Sequence, residues 1–317
     1  MIEKPEKTVK QRLKILSRNY IRDVLKNWHL YVLLFPAFLY LVIFKYAPLY
    51  GIQIAFKRYR VSQGITGSIW IGLEHFKNFI TSPQFERVFV NTVFLSLYEL
   101  VVSFPVPIIL ALMLNHVRSL KYKNFLENVF YIPHFISVVV LVGMINTFFS
   151  VQGGIINIVI ASLGGERINF MANASMFKHL YVFSGVWKNS GWRAIVFIAA
   201  LTSIDPALYE AATIDGAGTL SKILHIDIPC IMPTIVIMLI MAIGNVMSIG
   251  YEKVYLMQNY LTISKSEIIA TYVYKVGLLR SQYDYATAIG LFNNIINAFL
   301  IVAANSILKK ITKTGLW

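Results

Sequence analysis

Trp187, Lys188, Asn189, Trp192 and Arg193 are the residues of this chain best suited by type to do chemistry, and they interrupt an otherwise apolar stretch. Lys188 and Trp192 are four residues apart, as are Asn189 and Arg193. In a helix these pairs form two adjacent stripes of cation, amide and indole. Aromatic faces stack on sugar rings, while amides and cations bind hydroxyls and carboxylates. That suits an oligosaccharide, including one that carries uronates. Two other readings use the same residues. Glu99, central in a different apolar stretch, can neutralise Lys188 or Arg193, and the cations can snorkel towards a bilayer surface. Asn245, Tyr251 and Glu252 complete the candidate lining. Asn91, Asn146, Asn294 and Asn297 read first as helix–helix hydrogen bonds.

A second constellation runs from Glu210 to Pro233 and is suited to docking. Asp205 can cap a helix that starts at Pro206. Leu208, Ala211 and Ala212 then share one face, and the alanines permit close approach by a partner's backbone. Glu210 offers a charge to a basic groove. Asp215, Gly216 and Ala217 follow, and Gly216 can take the positive φ that turns one short helix into the next. Ile226-x-Ile228-Pro229 and Pro233 mark the return to apolar sequence. The plainer reading is an ordinary amphipathic loop helix.

No catalytic set stands out. His29, His75, His116, His134, His179 and His225 are scattered, without metal-ligand spacing. The single cysteine, Cys230, cannot form an intrachain disulfide and reads as a small buried residue. Gly216 to Lys222, GAGTLSK, lacks the Gly-Lys-Ser/Thr ending that a phosphate-binding loop needs, so no ATP site is expected here. Asn173-Ala174-Ser175 matches a glycosylation sequon by chance.

The elements that must hold these residues are membrane helices. The chain is 57% hydrophobic and 14% charged, whereas soluble domains carry about 25% charged residues. Six stretches approach the roughly 20 residues that a helix needs to cross a bilayer. They are 30–56, 88–114, 129–149, 179–201, 231–249 and 285–308. The expected fold is an all-α integral membrane protein of six transmembrane helices, with the polar loop 203–228 between the fourth and fifth. Residues 1–28 form a basic N-terminal segment and 29–317 the six-helix domain. The loops 57–87, 153–171 and 251–284 lie on the opposite side from 203–228. They either dock a soluble partner or cover helix ends.

The net charge of +14 fits this arrangement. Eight basic residues crowd the first 28 positions, and Lys309, Lys310 and Lys313 close the chain. Cationic flanks stay cytoplasmic, so both termini are expected inside. Placed on the six helices, 15 basic residues fall inside, 11 outside, and Lys45, Lys188 and Arg193 within spans. Nucleic acid is not an expected partner, since no basic–aromatic reading module is present. The N-terminus does not read as a cleavable signal peptide.

The loop from Glu210 to Pro229 resembles the EAA loop of binding-protein-dependent ATP-binding-cassette (ABC) permeases, the membrane subunits of type I importers. Family members continue with I-x-L-P. Ile228 here replaces the leucine, and Leu220 and Ile223 stand where an aromatic is frequent. Most of the chain extends the resemblance, including GLEHFKNFI, YIPHFISVVVLVG, YVYKVGLL, YDYATAIGLFNNIIN and the closing Gly315-Leu316-Trp317. These runs are similar to the branch that imports complex plant or algal oligosaccharides. Tyr260 departs from a proline often found there.

The resemblance implies a permease that forms half of a translocation pathway in a bacterial cell membrane. It implies a second homologous permease subunit, two ATPase subunits and an extracellular or periplasmic solute-binding protein. Leu208, Glu210, Ala211, Ala212, Asp215, Gly216, Ala217 and Pro229 would couple to the ATPase. ATP and magnesium would sit on that partner, with no cofactor bound by this chain. The cargo would be a complex oligosaccharide, pectin- or alginate-like if acidic. An ABC permease for a different small solute and an ion-coupled secondary sugar transporter are the alternatives. The latter is disfavoured because no inverted repeat is visible.

Overall fold

The computed structural model describes residues 26–316. The basic residues from Lys4 to Arg22, and Trp317, lie outside that range. The described residues divide into two units, 26–54 with 60–68, and 55–59 with 69–316.

The first unit contains α1 (Trp28–Leu41), which passes into a π turn at Val42–Tyr46. No residue of α1 is buried, as befits a helix whose side chains are all apolar or aromatic apart from His29 near its start. A helical run continues to Phe56, giving a membrane-length segment Trp28–Phe56 of 29 residues. Ser68 closes the 60–68 turn. Its hydroxyl accepts from the Arg60 amide at 3.1 Å and donates to the Gly64 carbonyl at 2.6 Å.

The second unit begins with a two-residue ribbon, β1 (Lys57–Arg58) against β2 (Ile69–Trp70). Then follow α2 (Glu74–Ile80), α3 (Pro83–Ser103) and α4 (Pro105–Asn115). Pro105 and Pro107 lack amide donors, so the run from Pro83 to Asn115 divides at Phe104. The expected third span, 129–149, is two helices. They are α5 (Leu120–Tyr131) and α6 (Val138–Phe148), with a bend of 95° between them. Pro133 ends the first, Ile136 is extended, and the Ser137 hydroxyl caps the second through the Val140 amide at 3.2 Å.

The short helix α7 (Ile155–Ser162) is bracketed by Gly153 and Gly164, both at positive φ. Buried Asn157 holds it through carbonyls of Ser150 and Ile168 and the Ile168 amide. The 29-residue α8 (Ala174–Thr202) starts at the Asn173 cap. Next come α9 (Pro206–Ile214) and α10 (Thr219–Lys222). A π turn, Ile223–Asp227, leads into α11 (Ile228–Gly244). The fifth helix therefore starts earlier than the expected 231. Proline cannot close the ordinary helical bond to the fourth residue back, and the wider turn falls immediately before Pro229. Cys230 is exposed on this helix, against the expectation of burial.

The stretch 251–284, expected as an external loop, is folded into the unit. It forms α12 (Tyr251–Met257), α13 (Ile263–Ser266) and α14 (Ile269–Tyr274), the last extended by a π turn to Leu279. Val254, Met257, Ile268, Ile269 and Val276 are buried there, so this stretch covers helix flanks. The last helix is α15 (Tyr283–Thr312). Four runs are long and apolar enough to cross a membrane unbroken, and counting each of two bent pairs as one span gives six.

The core is organised around α8. Its first half buries Phe177, Tyr181 and Val182 with Leu95, Leu141, Ile145 and Val254. Its second half buries Ala194, Phe197 and Leu201 with Ala111, Leu112 and Ile231. Gly191 lies between them, where a Cβ would stand 2.1 Å from the Phe130 carbonyl oxygen.

Candidate functional site

The polar centre of α8 opens onto a cavity of about 520 Å³ lined by α3, α4, α6, α8, α11 and the start of α12. Lys188, Asn189 and Arg193 line it from α8, Glu99 from α3 and Asn245 from the end of α11. These five sequence candidates converge. Lys253 also lines the cavity and was not singled out from the sequence, which pointed to its neighbours Tyr251 and Glu252.

Three cations therefore face one carboxylate. The Lys188 ammonium donates to the His134 carbonyl at 2.9 Å, and Arg193 donates to the Ser103 hydroxyl at 3.2 Å. Lys253 donates to the Tyr181 carbonyl at 2.5 Å and lies 4.3 Å from the centre of that ring. Among the described residues no ion pair within 4.0 Å joins Glu99 to any of them. Each ammonium has three donors and the guanidinium five, so every cation keeps donors beyond the bond it makes. The apolar share of the wall includes Leu100, Phe104, Val138, Leu141, Phe197 and Met238.

Trp187, Trp192, Tyr251 and Glu252 do not line this cavity. Trp187 is on a separate apolar pocket with Phe148, Phe170 and Phe183. Trp192 stacks on His134, with ring centres 4.6 Å apart and planes within 3° of parallel. Tyr251 packs against Tyr255 and Tyr274. Glu252 is exposed. Asn91 and Asn297 are structural: Asn91 bonds the Ser264 and Glu267 carbonyls, and Asn297 accepts from the Met247 amide.

The polar loop forms a compact helix–turn–helix. The Asp205 carboxylate accepts from the Ala207 amide at 2.9 Å, and Pro206 takes the first helical position. Gly216 has φ +75°, which lets the Ala217 amide reach the Ala212 carbonyl at 2.8 Å. Lys222 donates to the Thr213 hydroxyl at 2.8 Å, tying α10 to α9. Leu208, Glu210, Ala211, Asp215 and Gly216 are exposed, and Ala212 and Ala217 half so. Pro229 is exposed at the start of α11.

No family model matches the sequence. Individual relatives do. The polygalacturonan/rhamnogalacturonan transport system permease protein YteP of Bacillus subtilis (strain 168) is 41% identical over 317 residues, 100% of this chain and 96% of the relative. Protein LplB of the same organism is 44% identical over 288 residues, 91% of each chain. A chain in the crystal structure of a bacterial alginate ABC transporter, in complex with an alginate pentasaccharide-bound periplasmic protein, matches with TM-score 0.85 and 38% identity. That match covers 93% of this chain and 99% of the other. The chain belongs to the permease family of ABC transporters. The permease is thus a multi-pass membrane subunit of an ATP-driven importer, is not itself an ATPase and carries no cofactor of its own. A self-contained secondary transporter is excluded by this membership.

Sequence reasoning missed a buried cluster of the permease beneath α9. Asp227 is fully buried. One carboxylate oxygen accepts from the Tyr209 hydroxyl, and the other lies 2.6 Å from His116 Nε2. Asn115 reaches the Tyr209 hydroxyl at 3.5 Å. Burial first, and then the bond to Asp227, push the Tyr209 hydroxyl's pKa well up, so it remains a donor. Asp227 is the unspecified position of Ile226-x-Ile228-Pro229. The available signal was an acid placed where the chain turns back to apolar sequence.

Proposed function

We propose that the permease imports acidic oligosaccharides, uronate-bearing chains of the pectin or alginate kind, through the cavity on α8. One observation carries the reading: Lys188, Arg193 and Lys253 face this space against a single carboxylate, Glu99. A cationic lining favours an anionic cargo, and neutral sugars do not need it. The names of the relatives support the same class, since one is a polygalacturonan/rhamnogalacturonan permease and another belongs to an alginate transporter.

In this reading residues 29–317 form the permease domain and pair with a second, homologous permease subunit. Two ATPase subunits drive the importer, and one of them seats on α9 and α10, with Glu210, Ala211, Ala212 and Gly216 at the contact. An extracellular or periplasmic binding protein delivers the sugar, and both termini are cytoplasmic. Transport then alternates between two global states, biased by ATP on one side and by the loaded binding protein on the other.

The test is uptake by the complete importer in proteoliposomes. A hydrogen bond to a charged group contributes about 1.5–3 kcal/mol, and 1.4 kcal/mol is tenfold. Lys188→Ala, Arg193→Ala and Lys253→Ala are each expected to cut oligogalacturonate uptake roughly tenfold. Uptake of a neutral oligosaccharide of equal length, carried by the same system, should change less than about twofold. Equal loss for both cargoes would remove the uronate assignment.

A further inference from the structure

We propose that Asp227 is a joint that transmits movement of α9 to the membrane helices, with Tyr209 and His116 as its two arms. The proposal rests on the reading of α9 as the ATPase-coupling helix and adds how its movement reaches the spans. Of the nine residues of α9, Tyr209 and Ala212 are the ones not exposed. Ala212 is too short to grip anything distant. Tyr209 is thus the long side chain by which α9 holds the body of the second unit.

Its hydroxyl ends on Asp227, at the close of the π turn that leads into α11. The other oxygen of Asp227 takes His116, immediately after α4. The covalent path from α4 to α9 runs through all of α5 to α8. The carboxylate replaces that path with two hydrogen bonds. Both of its oxygens are committed and the carboxylate is fully buried, so each arm meets it away from solvent. Without Asp227, α9 keeps its chain links to α8 and α10 and the long 3.5 Å contact from Asn115 at the end of α4, but loses both short bonds through the carboxylate. Asp227 is a positioning residue in this scheme and touches neither ATP nor cargo.

The experiment uses the complete importer in proteoliposomes, with ATP hydrolysis measured with and without binding protein plus oligogalacturonate. An allosteric coupling of ordinary size changes a response by about 5–150-fold. Tyr209→Phe and His116→Ala are expected to keep the ATPase subunits on co-purification and to keep basal hydrolysis. Each should cut sugar-stimulated hydrolysis about fivefold or more. His116→Gln, which retains a donor, should keep at least half of the stimulation. The Tyr209→Phe/His116→Ala double variant should lose no more than Asp227→Ala, because the three groups act as one unit. A control separates the two layers of the reading. If Glu210→Lys abolishes stimulation while Tyr209→Phe and His116→Ala do not, the joint is wrong and the coupling helix stands. If Glu210→Lys is also without effect, both fail. Loss of the ATPase subunits from Tyr209→Phe would make Tyr209 part of the socket and would equally overturn the joint.

Discussion

Glu267 is the clearest case of a single side chain that the fold depends on. It is 3% exposed and accepts from Arg87 at 2.5 Å and Lys275 at 2.9 Å. It therefore ties the start of α3 to the π turn that follows α14. Removing one partner of a buried ion pair costs about 3–5 kcal/mol, because the remaining charge is stranded. Arg87 and Lys275 both reach solvent, so Glu267→Ala strands neither fully and is expected to cost less, about 1.5–3 kcal/mol. Glu74, whose bond to Arg58 lies at the surface, should cost under about 1 kcal/mol when replaced by alanine. Unfolding of the purified permease in detergent measures both, and equal effects would contradict the burial argument. Residue-level reading of the sequence worked where polarity stood out against an apolar background. Glu99, Lys188, Asn189, Arg193 and Asn245 were legible for that reason and do share one cavity. Trp192 lies four residues from Lys188, in the same helical stripe, but His134 captures its ring. Lys253 was hidden because it follows a span and was counted with an outside loop.

At the scale of elements, the six apolar stretches were legible from hydropathy, and the bends within them were not. The 95° turn between α5 and α6 needs Pro133, extended Ile136 and the Ser137 cap together. Each of these alone is common within membrane helices. The turn also sets how closely α8 passes. Gly191 abuts the Phe130 carbonyl so tightly that a Cβ would sit 2.1 Å from its oxygen and 2.9 Å from the Phe130 Cβ. Backbone cannot yield as a flexible side chain can, so Gly191→Ala must push α8 off α5. Overpacking of this kind costs about 1–3 kcal/mol. It should also disturb Lys188 and Asn189, which bond His134 within the same turn. Lower thermal stability and weaker uptake are expected together. Gly143→Ala on α6, where nothing lies within 4 Å of a Cβ, should be silent in both assays. Wild-type stability for Gly191→Ala would show that the α5–α8 approach is looser than this packing.

At the scale of the whole permease, sidedness depends on whether the stretch between α11 and α15 crosses the membrane. Its longest helical run, Ile269–Leu279, rises about 16 Å at 1.5 Å per residue, roughly half of a 30 Å hydrocarbon core. It also packs its buried face on α3 and α15, with Ile269, Tyr272 and Val276 in one cluster with Val88 and Ile289. A segment that returns on the side it entered adds no crossing. α10 and the end of α15 are then expected to share a side, and the Lys309, Lys310 and Lys313 group predicts that this side is the cytoplasmic one. The loop after α7 is expected on the opposite face. Cys230, the sole cysteine, makes this testable once it is replaced by serine. Exposed Ser221, Lys310 and Glu166 can then be changed to cysteine one at a time. In sealed right-side-out vesicles a membrane-impermeant maleimide should label Glu166→Cys at once. Ser221→Cys and Lys310→Cys should react only after permeabilisation. Labelling of Lys310→Cys from outside, with Ser221→Cys still protected, would mean that 251–284 crosses the bilayer. The cavity wall contributed by Lys253 would then have to be redrawn.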